Sequence, residues 1–113
     1  MKVVHSLEVP AAPMSEDGAA NITIRWLISK PDGAPNFAMR LFELAPGGYT
    51  PKHTHAWEHE VFVLAGEGEL TTAEGPKHFL AGDAVFVAPE ELHQFRNTGA
   101  GTMRMLCLIP LPE

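Results

Sequence analysis

Turn signals interrupt this 113-residue chain so regularly that little except short strands fits between them. They are PDG at 31–33, APGG at 45–48, GEG at 66–68, EGP at 74–76, AGD at 81–83 and NTGAG at 97–101. The intervening runs, ITIRWLI, FAMRLFEL, EVFVL, AVFVA and MRMLCLI, are rich in the β-branched and large apolar residues that suit a pleated surface. Strands punctuated in this way predict an all-β sandwich or barrel. Nowhere do apolar residues keep a helical period for three turns, so helix is expected to be minor.

The length suits one domain, 1–113, because a second core would not fit into it. Residues 1–17, with two prolines, read as a loosely held N-terminal arm. Runs such as VFVL and LCLI are apolar at both parities, whereas one face of an antiparallel sheet is ordinarily wet. Something must cover the second face. A second copy of the chain does so most simply, so a homodimer is expected; the chain's own N-terminal segment is the alternative cover.

Charge narrows the partners. The formal net charge is -6, from 14 acidic and 8 basic side chains, without any Lys/Arg cluster. Nucleic acid and anionic membrane surfaces are therefore not expected partners. No stretch approaches the ~20 apolar residues of a membrane-spanning helix, and the N-terminus lacks a signal-like apolar core. One cysteine, Cys107, rules out an internal disulfide and a multi-cysteine zinc site. A cytoplasmic location is expected.

The chemistry concentrates in KHTHAWEHE, Lys52 to Glu60, which holds three of the six histidines and two glutamates. On an extended strand, residues of equal parity share a face. His53, His55, Trp57 and His59 are odd, and Glu58 and Glu60 are even. Three imidazoles on one face have nitrogens to satisfy, and a metal ion does so at once. His93, in PEELHQFRN, could close the site from across the barrel. A bulge could still bring one glutamate in, and otherwise both face solvent. His5 and His78 lack such company and read as surface residues.

These motifs resemble the cupins, small jelly-roll β-barrels. The first cupin motif is Gly, five residues, His-x-His, three or four residues, Glu, six residues, Gly. Here Gly47, His53, His55 and Gly66 match it, and His59 stands where the family usually has glutamate. The second motif is Gly, five residues, Pro-x-Gly, two residues, His, three residues, Asn. Gly82, His93 and Asn97 match; Pro89 is one place late, and Glu90 and Glu91 follow it without the family's glycine. The similarity runs over about 34–110 and is greatest to compact single-domain bacterial cupins of the cupin 2 type.

The resemblance implies a metal held by His53, His55, His59 and His93, typically manganese, in a dimeric protein. The ligand set alone suits iron, copper, nickel or zinc as well. Four neutral imidazoles leave a divalent ion its full charge, and an ion that accepts six ligands keeps two positions open. We therefore expect a metal-dependent oxidoreductase, dioxygenase-like or peroxide-using, acting on a small organic molecule inside the barrel. Arg40, Trp57, Phe95, Met105 and Cys107 are the pocket candidates. The alternatives are a non-enzymatic ligand-binding or sensor protein and a metal-dependent isomerase or lyase. The latter would draw its acid or base from Glu43, Tyr49, Glu58, Glu60 or His78.

Overall fold

The computed structural model describes residues 1–14 and 16–111. Nine strands form one antiparallel sheet that curls on itself: β1 Ala12–Pro13, β2 Ala20–Ile28, β3 Phe37–Tyr49, β4 His59–Ala65, β5 Glu67–Thr71, β6 Lys77–Leu80, β7 Ala84–Val87, β8 Gln94–Asn97 and β9 Met103–Pro110. The pairing runs β6-β5-β8-β3-β9-β4-β7, with β2 on β3 and β1 on β2. Among the described residues helix is confined to two 3-10 turns, Ser6–Glu8 and Lys30–Asp32. Each turn cluster read from the sequence lies at a strand end or between strands, apart from APGG, which β3 runs through.

Alternation places the core. Ala38, Arg40, Phe42 and Leu44 on β3 are buried, as are His59, Val61 and Val63 on β4. Met103, Met105 and Cys107 on β9 meet them from the neighbouring strand, and Leu70, Phe79 and Phe95 close the far side. The opposite parity of β4 and β7 points outward and is apolar too: Phe62, Leu64 and Phe86 are exposed. This is the two-sided apolar pattern that the runs VFVL and AVFVA display.

The N-terminal arm is not loosely held. Arg25 Nη1 donates to Val9 O at 2.6 Å, Lys2 pairs with Asp32 at 2.6 Å, and Ala12 and Pro13 register against Ile24 and Thr23. Met14 then packs against the core cluster. Prolines suit this edge, where a missing N–H costs no interior ladder bond. Ser15, within that arm, lies outside the described residues.

Two positions of the second motif have a plain physical role. Asn97, buried at the end of β8, donates through Nδ2 to Leu44 O at 2.9 Å and Gly101 O at 2.8 Å, and its Oδ1 accepts from Gly99 N–H at 2.9 Å. It fastens the β8–β9 turn to β3. Glu90, which replaces the glycine of the family pattern, has φ 67°, in the left-handed region, and its N–H donates to His55 O at 2.7 Å. The backbone keeps the glycine-type conformation without the glycine.

Asn97→Leu leaves two carbonyls and one N–H without partners, and thermal or urea unfolding should register a loss of roughly 3 kcal/mol or more. Glu90→Gly should act oppositely. It removes a left-handed penalty of about 1–2 kcal/mol at an entropic cost of about 0.5–1 kcal/mol, so the melting temperature should rise slightly.

Candidate metal centre

His53, His55, His59 and His93 converge, with one ring nitrogen from each lying within 4.8 Å of the others. Two come from a backbone bridge. His53 N–H donates to His93 O at 3.2 Å and His93 N–H to His53 O at 3.1 Å, which ties the two motifs together ahead of β8. His59 opens β4 and points inward with Val61 and Val63. His55 sits in the loop between, whose bend at Ala56 and Trp57 returns the chain toward β4.

The segment is thus not the continuous strand that parity assumed, and the bend displaces Trp57. Its indole lies flat against His55, with centroids 4.2 Å apart and planes at 4°, and is 45% exposed. It supports a ligand candidate from outside and does not wall the cavity. Glu58 and Glu60 line an outer groove with Phe37, Leu108 and Ile109, on the far side of the sheet from the histidines.

The hydrogen bonds of the rings fix where their lone pairs face. His93 Nδ1 meets Glu91 O at 2.8 Å and His55 Nδ1 meets Trp57 O at 2.7 Å. A carbonyl only accepts, so both Nδ1 atoms carry the proton and both Nε2 atoms present lone pairs. His93 Nε2 is buried and has no hydrogen-bond partner among the described residues. His55 Nε2 lies 2.8 Å from His59 Nε2, while His59 Nδ1 lies 3.1 Å from Cys107 Sγ. Such outer partners orient the rings of metal-binding histidines.

The donor set fits a divalent transition metal. Imidazole nitrogens on a common ion stand about 2.0–2.2 Å from it, so the widest separation needs to shorten by only a few tenths of an ångström. A cation satisfies the facing lone pairs and the orphaned nitrogen of His93 together. In the metal-free chain one arrangement satisfies the His55–His59 contact: Nε2–H on His59 donates to His55, and the Cys107 thiol donates to His59 Nδ1. Metal binding would then move the His59 proton to Nδ1.

A cavity of about 40 Å³ opens beside the cluster, and His53, His59, His93, Arg40, Phe95, Met105 and Cys107 line it. Met14, Glu16, Phe42, Thr50 and Pro51 complete it. These last five were missed. Phe42 shares the parity of Arg40 on β3 and could have been inferred from it, whereas Met14 and Glu16 arrive from the arm, for which the sequence offers no signal. Of the acid/base candidates, Glu43 is engaged by Arg25 at 2.7 Å and Arg104 at 3.4 Å, and His78 is an exposed neighbour of Glu67. Arg96 lies over the ring of Tyr49.

Burial pushes the His59 imidazole down to about 3, helped by the positive charge of Arg40 and by the neighbouring imidazoles. His53 and His93 are lowered as well, chiefly by burial. All three favour the neutral form that a metal requires. The unfolded chain takes up protons near pH 6.5 and the folded metal-free chain does so lower, so stability is full above that range and falls as pH drops toward about 3. Thermal unfolding of metal-free protein against pH should follow this slope, and His59→Gln should flatten it.

Comparison with known proteins agrees with this architecture. Residues 40–109 match the cupin domain family Cupin_2. The polyketide cyclase RemF from Streptomyces resistomycificus has a similar structure, with a TM-score of 0.92 and 39% identity, over 97% of this chain and 79% of that one. A predicted oxalate decarboxylase from Thermotoga maritima superposes with a TM-score of 0.87 at 26% identity, over 98% of this chain and all of that one. Auxin-binding protein 1 of Arabidopsis thaliana is 26% identical over 93% of this chain and 57% of its own length. The chain spans about half the length of the curated relatives it matches. With the family pattern matched over more than half of its residues and a relative at 39% identity, the chain belongs to the cupin domain family.

Proposed function

We propose that this cupin is a metal-dependent enzyme whose centre is held by His53, His55, His59 and His93 and which activates a carbonyl group of a small organic substrate. The observation that carries this reading is the convergence of Nε2 atoms, with His55 and His59 facing each other at 2.8 Å and His93 Nε2 buried without a partner among the described residues. A divalent ion on four neutral imidazoles keeps its full charge and supplies Lewis acidity. The likeness to a polyketide cyclase at 39% identity favours a substrate with acidic C–H bonds between carbonyls.

The chain's own residues divide the remaining work. Glu16 is the carboxylate among the described cavity-lining residues, placed to accept a proton from carbon. Phe42, Phe95 and Met105 exclude water from the inner wall. Trp57 holds the His55 ring in its plane, and the Glu91 and Trp57 carbonyls keep the Nδ1 protons of His93 and His55 in place.

The oxidoreductase expected from the sequence is the second reading, with manganese as its metal. The all-imidazole set favours it, since such ligands suit redox-active ions. Against it stand three sulfur side chains on the cavity wall, Met14, Met105 and Cys107, which oxygen species would attack first. The exposed Phe62, Leu64 and Phe86 support a homodimer through the outer face of β4 and β7. A cytoplasmic location completes the proposal.

Elemental analysis of the purified protein should find about one metal per chain, lost in His59→Ala and kept in Glu60→Ala. Turnover of a β-polyketo substrate should survive anaerobic conditions and replacement by zinc, and Glu16→Gln should lower kcat by about 10²-fold. Activity that needs oxygen or peroxide and a redox-active ion would instead establish the oxidoreductase. Metal binding without turnover of any substrate would leave a binding protein. Light scattering should give twice the chain mass, and Phe86→Glu should shift it to the monomer.

A further inference from the structure

Arg40 and Glu16 line the same cavity, yet among the described residues Arg40 forms no ion pair. Arg40 is 8% exposed, inward-facing on β3, with its guanidinium carbon 4.6 Å from the centroid of Phe42 and 5.4 Å from that of Trp26. Its Nη2 donates to Cys107 Sγ at 3.0 Å, and its buried Nε has no hydrogen-bond partner among the described residues. The ion pairs of the described residues join Lys2 to Asp32, Arg25 and Arg104 to Glu43, and His78 to Glu67; none includes Arg40. Cys107 Sγ is shared between Arg40 Nη2 and His59 Nδ1, at 3.0 and 3.1 Å, and does not reach the Nε edge.

A guanidinium does not shed its proton, so desolvation cannot be relieved by neutralising it. The aromatic rings compensate at its faces and leave the N–H edge, where a planar anion binds. That side chain lines the same cavity as His53, His59 and His93, and a single sulfur atom stands between Arg40 Nη2 and His59 Nδ1. A metal on four neutral ligands would add two more positive charges to this wall. With Glu16 the one carboxylate on the described lining, a neutral substrate would leave that wall with a net positive charge.

We propose that Arg40 is an anion-binding residue and that the cavity takes an organic acid: its carboxylate meets the Nε edge of Arg40 while a second oxygen, two or three bonds away, reaches the histidine cluster. The second contact rests on the metal-centre reading, and the first does not. A volume of about 40 Å³ holds such a head group and leaves the body of the ligand toward the mouth, where Glu16 lies. Carboxylate near the arginine and carbonyl near the histidines orients the molecule in one sense.

The test compares acetoacetate with its neutral ester, methyl acetoacetate, by calorimetric titration of zinc-loaded and metal-stripped protein. The acid should bind about tenfold or more tightly than the ester, in both forms of the protein, and more tightly with zinc present. Arg40→Gln should bring the two probes to within about threefold, with zinc content unchanged by elemental analysis. The Arg40 Nε–H resonance of the unaltered protein should shift with acetoacetate and stay with the ester, which answers the question even if the variant does not fold. Equal binding of the two probes, failure of both to bind at millimolar concentration, an unmoved Nε–H resonance, or full discrimination by Arg40→Gln would each overturn the proposal. If zinc does not bind, the metal-centre reading fails, and the acid–ester difference on the metal-free chain still decides the role of Arg40.

Discussion

Two imidazole nitrogens facing each other at 2.8 Å constrain much of the rest of the site. That contact is tolerable only with a cation or a proton between the rings, and its geometry is set by what grips them from behind. Carbonyls of Trp57 and Glu91 hold His55 and His93, and a buried thiol holds His59. The barrel works as a frame for these outer contacts. β4 delivers His59 from one side, the His53–His93 bridge delivers two more from the other, and the Glu90 N–H pins the carbonyl of His55.

Much of the fold was legible because turn chemistry is local. PDG, GEG, AGD and NTGAG dictate where the chain reverses, and the alternation of β3, β4 and β9 follows from residues within each strand. The histidine cluster was legible for a different reason: spacing within KHTHAWEHE and between the motif glycines restricts which side chains can meet. Parity nevertheless named three residues that converge in the structure, by an incorrect path. The segment bends at Ala56 and Trp57, which brings the rings together from two loops and a strand and carries Trp57 outside.

What stayed hidden depends on contacts between distant parts of the chain. Nothing in the arm's composition announces that Arg25 and β2 hold it down, or that Met14 and Glu16 reach the cavity. Arg40 was visible as an arginine in an apolar run, but its lack of a carboxylate partner among the described residues is a property of the packed barrel. Glu90 shows the converse. The sequence departs from the family's glycine, yet the backbone keeps the left-handed turn, in which the Glu90 N–H meets the His55 carbonyl.

The arm has a consequence for how such a site can diversify. Every proposed ligand is fixed by the barrel or by loops bridged to it, whereas one stretch of cavity wall, Met14 and Glu16, is supplied by a segment attached through a two-residue strand and a few surface contacts. Substitution of Met14 would reshape the entrance while leaving the histidines and Glu16 in place. Exchange of this segment between related barrels would therefore change the entrance and the proposed proton acceptor together while keeping the histidine cluster, and a fusion or tag placed ahead of Met1 would act on the same wall.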